Sequence, residues 1–467
     1  MKVLFIQPFG NESNTNYPPL GLLYLAAYLR SNMECSVRVL DLRLNRKPIE
    51  EKLSEIEDWA PDIVAITGMS IEWSSIRHII HAVRERLGKR CKIVAGGPHA
   101  TAFAGVVLEQ TSTDFVIKGE GEVTFLHLAI AIAAGGDTAS IAGLAYKASG
   151  GEIIETDQRG FIEDLDSVPF PAYDLLDIEE YFIDPHFHNN LNKHNRILPI
   201  LTARGCPFKC SFCYHLLGFK FRSRSSGNIL SEIEQLVERY NVKEFHVEDD
   251  IFNFDMDRAR DVMRRVEHLG KRLSFAFPNG LKIELIDAEM VAQFKRAGVY
   301  RINLGIESAV QRVQNIVAKP VNLGKVDQVI AWLNDSNISS HGFFMIGFPE
   351  ETESEIMQTI DYAASSKLAT ANFSLVKVFP MTPLGDKYLS DVTFSDDHSF
   401  SYDSVATNMS SVSDEKLKSL EKLAYIKFYF RPSRVWRIFR TSPNKKNLFF
   451  RNIFTVLSLV FTGKAKY

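Results

Sequence analysis

Cysteine is scarce in this 467-residue chain: there are five, and three of them fall within eight positions. An odd, clustered set excludes a disulfide framework, and in a reducing compartment it points instead to metal or redox chemistry. Long apolar runs are lacking too. The opening segment MKVLFIQPFG runs straight into a strand-like stretch, with neither a long apolar core nor a small-residue cleavage site. No secretory signal is visible, and the cytoplasm is the expected location. Near the other end, NIFTVLSLVF is ten residues long, against the ~20 that a spanning helix requires. Acid is also missing there. From Lys416 onward thirteen Lys or Arg stand against one acid, Glu421, so the net charge of −3 hides about −15 before that point and +12 after it.

What is present is ordinary for a globular protein. Hydrophobic residues make up 45% of the chain, and its length predicts two or three domains. Strand-like runs KVLFIQP, SVRVLDLR, DIVAITG, KIVAGGP and DFVIKGEGE alternate with helical segments such as LGLLYLAAYLRS and SSIRHIIHAVRERLG. This is the pattern of an α/β, doubly wound, Rossmann-like parallel sheet over residues 1–140, whose ligands sit at the C-terminal strand ends. The hairpin-like GLAYKASGGEIIETD and the Pro-rich DSVPFPAYDLL predict a linker over 141–191. Six further strand-like runs, from ILPILTA to FSLVKVFP, are spaced by amphipathic helices and predict a full or partial (β/α)6 parallel barrel over 192–400. Residues 401–467 read as a basic, amphipathic helical extension.

The cysteine cluster lies in TARGCPFKCSFCYH, directly after the first predicted barrel strand. An iron–sulfur cluster normally takes four thiolates, so Cys206, Cys210 and Cys213 would leave one iron open to an outside ligand. The competing reading is a closed zinc site with His215 as fourth ligand. Cys35 and Cys91 each precede a predicted strand and read as small buried hydrophobes.

The spacing Cys206-x3-Cys210-x2-Cys213, with Phe212 before the last cysteine, resembles the motif of the radical S-adenosylmethionine superfamily. The resemblance implies a [4Fe-4S] cluster whose open iron chelates the amino and carboxylate groups of S-adenosylmethionine. One electron from a low-potential donor then splits the C5′–S bond to give a 5′-deoxyadenosyl radical. It also implies which residues approach S-adenosylmethionine: Phe212 and Tyr214 beside the cysteines, Glu248 and Asp249 with Asp250 in VEDDIF, Asn279 with Gly280 in FPNGL, Glu307 in LGIES, and Gly347 with Pro349 in MIGFPEE. Bland alternatives stand beside these. The acids of VEDDIF could simply cap the next helix, and Glu307 could be solvated.

The N-terminal half resembles the cobalamin-binding domain that one subfamily of these enzymes carries, on the stretches NYPPLGLLYLAAYL, PDIVAITGMS, IVAGGPHATA and DFVIKGEGEVTF. The cobalamin contacts this implies are Pro19, Thr67, Gly68, Ser70, Gly96, Gly97, His99, Gly119 and Glu120. Glycine pairs such as Gly96 and Gly97 suit a backbone that must approach a flat, bulky corrin. Other cobalamin proteins place an Asp-x-His-x-x-Gly motif after the first strand, yet QPFGNESN contains no histidine. Asp184-x-His186 is a fragment of that motif, but Asn189 replaces its glycine. The expectation is cobalamin without a histidine ligand from this domain, with His99 a loop histidine at the corrin edge.

The two implied cofactors make radical C-methylation of an unactivated carbon the leading activity. The alternative is an oxidative cyclisation or rearrangement that uses cobalamin without methyl transfer; the alternative of another class is a nonenzymatic iron–sulfur or zinc module. Methylthiotransferases need a second cysteine triad, for which only Cys35 and Cys91 are available. The tail KFYFRPSRVWRIFR interleaves aromatics with arginines, a pattern of anionic membrane surfaces or protein grooves more than of nucleic acid. A helical cap over the barrel with a solvated basic face competes with that reading. Peripheral contact at the inner membrane face would favour a lipophilic small-molecule substrate.

Overall fold

The computed structural model describes residues 1–9, 16–44, 48–185, 192–388 and 408–443. Its chain divides into two compact units at residues 185 and 186. In the first, strands β1 (Lys2–Gln7), β2 (Ser36–Asp41), β3 (Ile63–Thr67), β4 (Lys92–Gly96), β5 (Phe115–Ile117), β6 (Leu144–Lys147) and β7 (Ile153–Glu155) form one sheet. Its order is β2-β1-β3-β4-β5-β6-β7, parallel through β5 and antiparallel beyond. Strand β1 is apolar on both faces because helices cover both. Val3 and Phe5 pack with the helices Leu20–Asn32 and Glu122–Ala134, while Leu4 and Ile6 pack with Trp73–Leu87. The order reverses at β1 and β3, which makes the crevice at their C-terminal ends the ligand position of such a sheet.

The segment expected to be a hairpin linker instead extends this sheet. Strand β6 pairs with β5, and β7 with β6. Val116, Leu144 and Ala145 are thereby buried, and the free edge of β5 finds its hydrogen-bond partners.

The second unit holds β8 (Ile197–Ile200), a small antiparallel pair β9 (Ala203–Arg204) and β10 (Arg222–Ser223), then β11 (Glu244–Val247), β12 (Ser274–Leu281), β13 (Val299–Glu307), β14 (Ser339–Ile346) and β15 (Thr370–Leu375). Six of these form a parallel sheet in the order β8-β11-β12-β13-β14-β15. Strands β8 and β15 remain edges, so the barrel is partial. Polar caps start its helices: the side chains of Ser225, Asp255, Asp287, Asn322 and Thr352 each accept a backbone N–H of the first turn.

Two helices, Asp414–Tyr429 and Pro432–Thr441, close the open edge at β15. The Tyr425 and Tyr429 hydroxyls bond the backbone N–H and C=O of Phe373 and Ala371. The match is geometric: four residues of helix rise about 6 Å and two residues of strand about 6.6 Å. Buried Arg434 donates to the carbonyls of Ala364, Ser366 and Leu368 at the C-terminal end of helix Glu353–Ser365. The described part of the tail is therefore a cap over the barrel. NIFTVLSLVF, the histidine of Asp184-x-His186 and most of the QPFGNESN loop lie outside the described residues. Among those described, no helix is long and apolar enough to cross a membrane.

Candidate functional site

The cysteine loop runs between β9 and β10, whose pairing braces its two ends. Gly205 opens it at φ +83, where a Cβ would lie 2.3 Å from the Lys220 carbonyl oxygen, so only glycine lets the two backbones meet. Its N–H donates to Asp250 at 3.1 Å, and the Cys206 N–H donates to the Gly218 carbonyl. Cys210 is buried, whereas Cys206 and Cys213 are half-buried. The Cys213 thiol donates to Cys210, and this bond, together with nearby Lys319, lowers Cys210 to about 7. The same bond pushes Cys213 up, and burial pushes up Cys206.

His215 does not join them. Its Nδ1 lies 3.1 Å from the Cys213 carbonyl oxygen and its Nε2 2.8 Å from that of Phe208, and its ring stacks on Phe219. Among the described residues, no group of three or more His, Cys, Asp or Glu could hold a single metal ion. Both ring nitrogens of His215 are spent on backbone carbonyls, which takes away the fourth ligand that the closed zinc reading needs.

A cation stands next to these thiols. Lys319 Nζ is 2.7 Å from Glu307 Oε1 and 5.7 Å from the Phe212 ring centroid. Burial alone would depress this ammonium, but Glu307 and the two thiols Cys210 and Cys213 outweigh it and raise its pKa. Glu307 reaches it from the end of β13 with φ +61, a left-handed conformation that a non-glycine residue adopts at a cost of about 1 kcal/mol. Nothing in IVAKPVN distinguishes Lys319 from a solvated lysine, and sequence reasoning passed it over.

The other strand ends divide by what their side chains touch. Asp249 is buried and accepts from the Thr202 N–H and hydroxyl and the Ala203 N–H, while Arg258 donates to the Thr202 carbonyl and hydroxyl. Burial raises Asp249 to about 6 against these donors. Both its oxygens are spent on the strand that leads into the cysteine loop. Asn279 donates to the Glu248 carbonyl at 3.0 Å, tying the ends of β11 and β12 together. Glu248 itself is half-buried at that strand end. Phe212 packs against Phe348, and the Tyr214 hydroxyl donates to Met381 Sδ at 3.6 Å. Past β14, the N–H groups of Gly347 and Phe348 donate to Glu351 Oε2 at 2.8 and 3.0 Å. Glu351 is fully buried, its Oε1 has no hydrogen-bond partner, and desolvation raises it to about 7. Only the last position of the quoted MIGFPEE stretch hinted at it.

In the N-terminal unit, Thr67 ends β3 and Gly96 ends β4. Gly97 follows at φ +84, and a Cβ there would stand 2.2 Å from Thr67 Oγ1. The His99 N–H donates to the Gly68 carbonyl. Gly68 is as tightly placed, since a Cβ there would stand 2.7 Å from Ile76 Cδ1, so the glycines let the ends of β3 and β4 and the segments that follow them pack closely. Pro19 is the residue before helix Leu20–Asn32, the Gly119 N–H donates to Thr101, and Glu120 accepts from the Ile162 N–H. His99 sits in a short helix, Gly97–Ala102, not in a loop. It is 3% exposed, with its ring between Trp73 and Phe103 and its Nδ1 3.1 Å from Ser70 Oγ. Its Nε2 has no partner, and burial lowers its pKa to about 4.

Residues 6–129 match the family model of the B12 binding domain, and residues 200–363 match that of the radical SAM superfamily. The chain is 27% identical over 445 residues to an uncharacterized methyltransferase of Pyrococcus horikoshii, covering 92% of this chain and 93% of that one. It is 28% identical over 402 residues to the anaerobic magnesium-protoporphyrin IX monomethyl ester cyclase of Rubrivivax gelatinosus, covering 83% and 70%. Among solved structures, the radical S-adenosylmethionine methyltransferase TsrM from Kitasatospora setae, with cobalamin and a [4Fe-4S] cluster bound, superposes with a TM-score of 0.70 at 20% identity. That match covers 83% of this chain and 74% of TsrM, and shows the same fold.

Proposed function

Because the chain belongs to the radical SAM proteins that carry a B12-binding domain, we propose that it is a cobalamin-dependent radical enzyme that methylates an unactivated carbon of a small molecule. The observation that carries this reading is a loop of three cysteines at the C-terminal strand ends of a partial barrel, in a chain whose preceding residues match a B12-binding domain. When bound, the cluster would supply the electron that cleaves S-adenosylmethionine to a 5′-deoxyadenosyl radical, and cobalamin would supply the methyl group.

The chain's own residues hold and shield. Cys206, Cys210 and Cys213 are the cluster ligands, and the positive charge of Lys319 favours their thiolate forms. Lys319 and Glu307 offer an ammonium and a carboxylate beside those thiols, complementary to the carboxylate and amino groups of a bound amino acid. Asp249, through Thr202 and Ala203, is a positioning residue for the loop; Glu248, Asn279, Gly347, Tyr214 and Phe212 line the same strand ends. In the other unit, Pro19, Thr67, Gly68, Ser70, Gly96, Gly97, Gly119 and Glu120 are the cobalamin contacts of this reading. The enclosure of His99 by Trp73 and Phe103 supports a cobalt without a histidine from this domain. The enzyme is placed in the cytoplasm, takes electrons from a low-potential donor and does not bind nucleic acid.

The likeness to a cyclase keeps one second reading, oxidation without methyl transfer. Anaerobic reconstitution with iron, sulfide and methylcobalamin, followed by S-adenosylmethionine and a strong reductant, tests both. Formation of 5′-deoxyadenosine together with S-adenosylhomocysteine, both lost in Cys206→Ala, is the expected result. Deoxyadenosine alone from a substrate that turns over assigns the cyclase reading, and zinc bound in place of a cluster rejects both.

A further inference from the structure

Helix Pro432–Thr441 distributes its side chains against the habit of a surface helix. Arg434, 1% exposed, is spent inside on the carbonyls of the neighbouring helix and lies 3.8 Å from the Phe428 ring centroid. Arg437 is half-buried and donates to the Leu368 carbonyl at 3.1 Å. Facing outward are Val435, Trp436 and Phe439 at 59%, 66% and 41% exposure, with Phe430 at 60% just before the helix. The Trp436 and Phe439 rings stack, with centroids 5.9 Å apart. Arg431 and Arg440 are exposed on either side of them. Because Arg434 is committed to the interior, the helix cannot roll to hide its aromatic face, so the exposure is built into the fold. Four large apolar side chains grouped in this way mark an interaction surface rather than scattered exposure.

Charge identifies what this surface suits. From Lys422 to Pro443 the chain has six Lys or Arg and no Asp or Glu, and Arg431 and Arg440 flank the exposed aromatics. We infer that the outward face of Pro432–Thr441 docks the protein on an anionic lipid bilayer. On this assignment Trp436, Phe439, Val435 and Phe430 enter the boundary between headgroups and acyl chains, while Arg431 and Arg440 pair with lipid phosphates. An acidic protein surface would satisfy the arginines but would set Trp436 and Phe439 against polar groups. The docking rests on surface chemistry alone and stands apart from the methylation reading.

The test uses the full-length protein and vesicles of phosphatidylcholine, with and without phosphatidylglycerol, in a sedimentation assay. Two variants accompany it: Trp436→Ser combined with Phe439→Ser, and a chain stopped after Pro443. Wild type and the shortened chain should bind vesicles containing phosphatidylglycerol, and binding should weaken as salt rises. The double variant should partition at least about tenfold less. S-adenosylmethionine cleavage in solution should be equal in all three, which shows them folded and separates this result from the catalytic one. Unchanged binding by the double variant, or loss of binding in the shortened chain, overturns the assignment to this helix. Failure of the wild type to bind any vesicle, with a double variant defective only in accepting electrons from an acidic reductase, gives the face to a protein instead.

Discussion

The two sets of strand ends solve opposite problems with the same α/β grammar. Past β3 and β4 the chain presents backbone: Gly68, Gly96 and Gly97, with the one histidine sealed neutral between Trp73 and Phe103. Past β8, β11, β13 and β14 it gathers charge and acidity: three thiols, Lys319 with Glu307, Asp249 with its donors, and buried Glu351. The first arrangement brings backbones close by removing side chains. The second sets electrostatics by placing them. A large cofactor held mainly by shape needs the one, and a charged cluster with a charged co-substrate needs the other.

The largest effect that separates the two comes from the thiols. Cys206→Ala should abolish cluster absorbance and deoxyadenosine formation while leaving cobalamin retention intact; loss of both cofactors in one stable variant would dissolve the distinction. Next is Gly97→Ala, which forces a Cβ against Thr67 Oγ1 at a positive φ. It should destabilise the N-terminal unit by about 3 kcal/mol and release cobalamin while cluster content stays unchanged. Adding Thr67→Ala should recover part of that loss, because the clash is with the threonine hydroxyl.

The ends should also respond to pH with opposite signs. His99 is lowered to about 4, so its contribution is complete above about 6.5 and is lost as pH falls through 4. Glu351 is raised to about 7 and Asp249 to about 6. Their contributions are complete below about 4 and are lost as pH rises through 6 and 7. Hydrogen exchange followed separately in each unit from pH 4 to 8 should show two slopes of opposite sign, and Glu351→Gln should reduce the one in the barrel, leaving the share of Asp249. Parallel slopes would refute the contrast. The smallest effect is that of Lys319→Met, which leaves Glu307 without its partner. With a fifth of the lysine side chain reaching solvent, the cost in stability should be about 1 kcal/mol, read by denaturant unfolding and larger than in Arg312→Met, whose ion pair is on the surface.

Much of this was legible from residue patterns. Apolar runs such as KVLFIQP and ILPILTA marked strands that are buried on both faces, and the cysteine spacing marked the loop after β8, because both signals are local. The GLAYKASGGEIIETD hairpin misled for an equally clear reason. Nothing within it says that β5 offers a free edge, so a linker and a sheet extension read alike. His99 read as a loop residue because GGPHA looks like a turn, whereas Gly97 in fact begins a helix that carries the ring into an aromatic slot.

The sequence by itself determined the two α/β units, the thiol triad and the absence of acid after Glu421, since these depend on which residues are present and how they are spaced. Tertiary structure alone decided that Lys319 stands beside the thiols, that Asp249 spends its oxygens on Thr202 and Ala203, and that Arg434 turns inward while Trp436 turns out. Each of these depends on which distant backbone a side chain meets after folding. Burial and unmet hydrogen bonds act on that meeting, and spacing along the chain does not encode it.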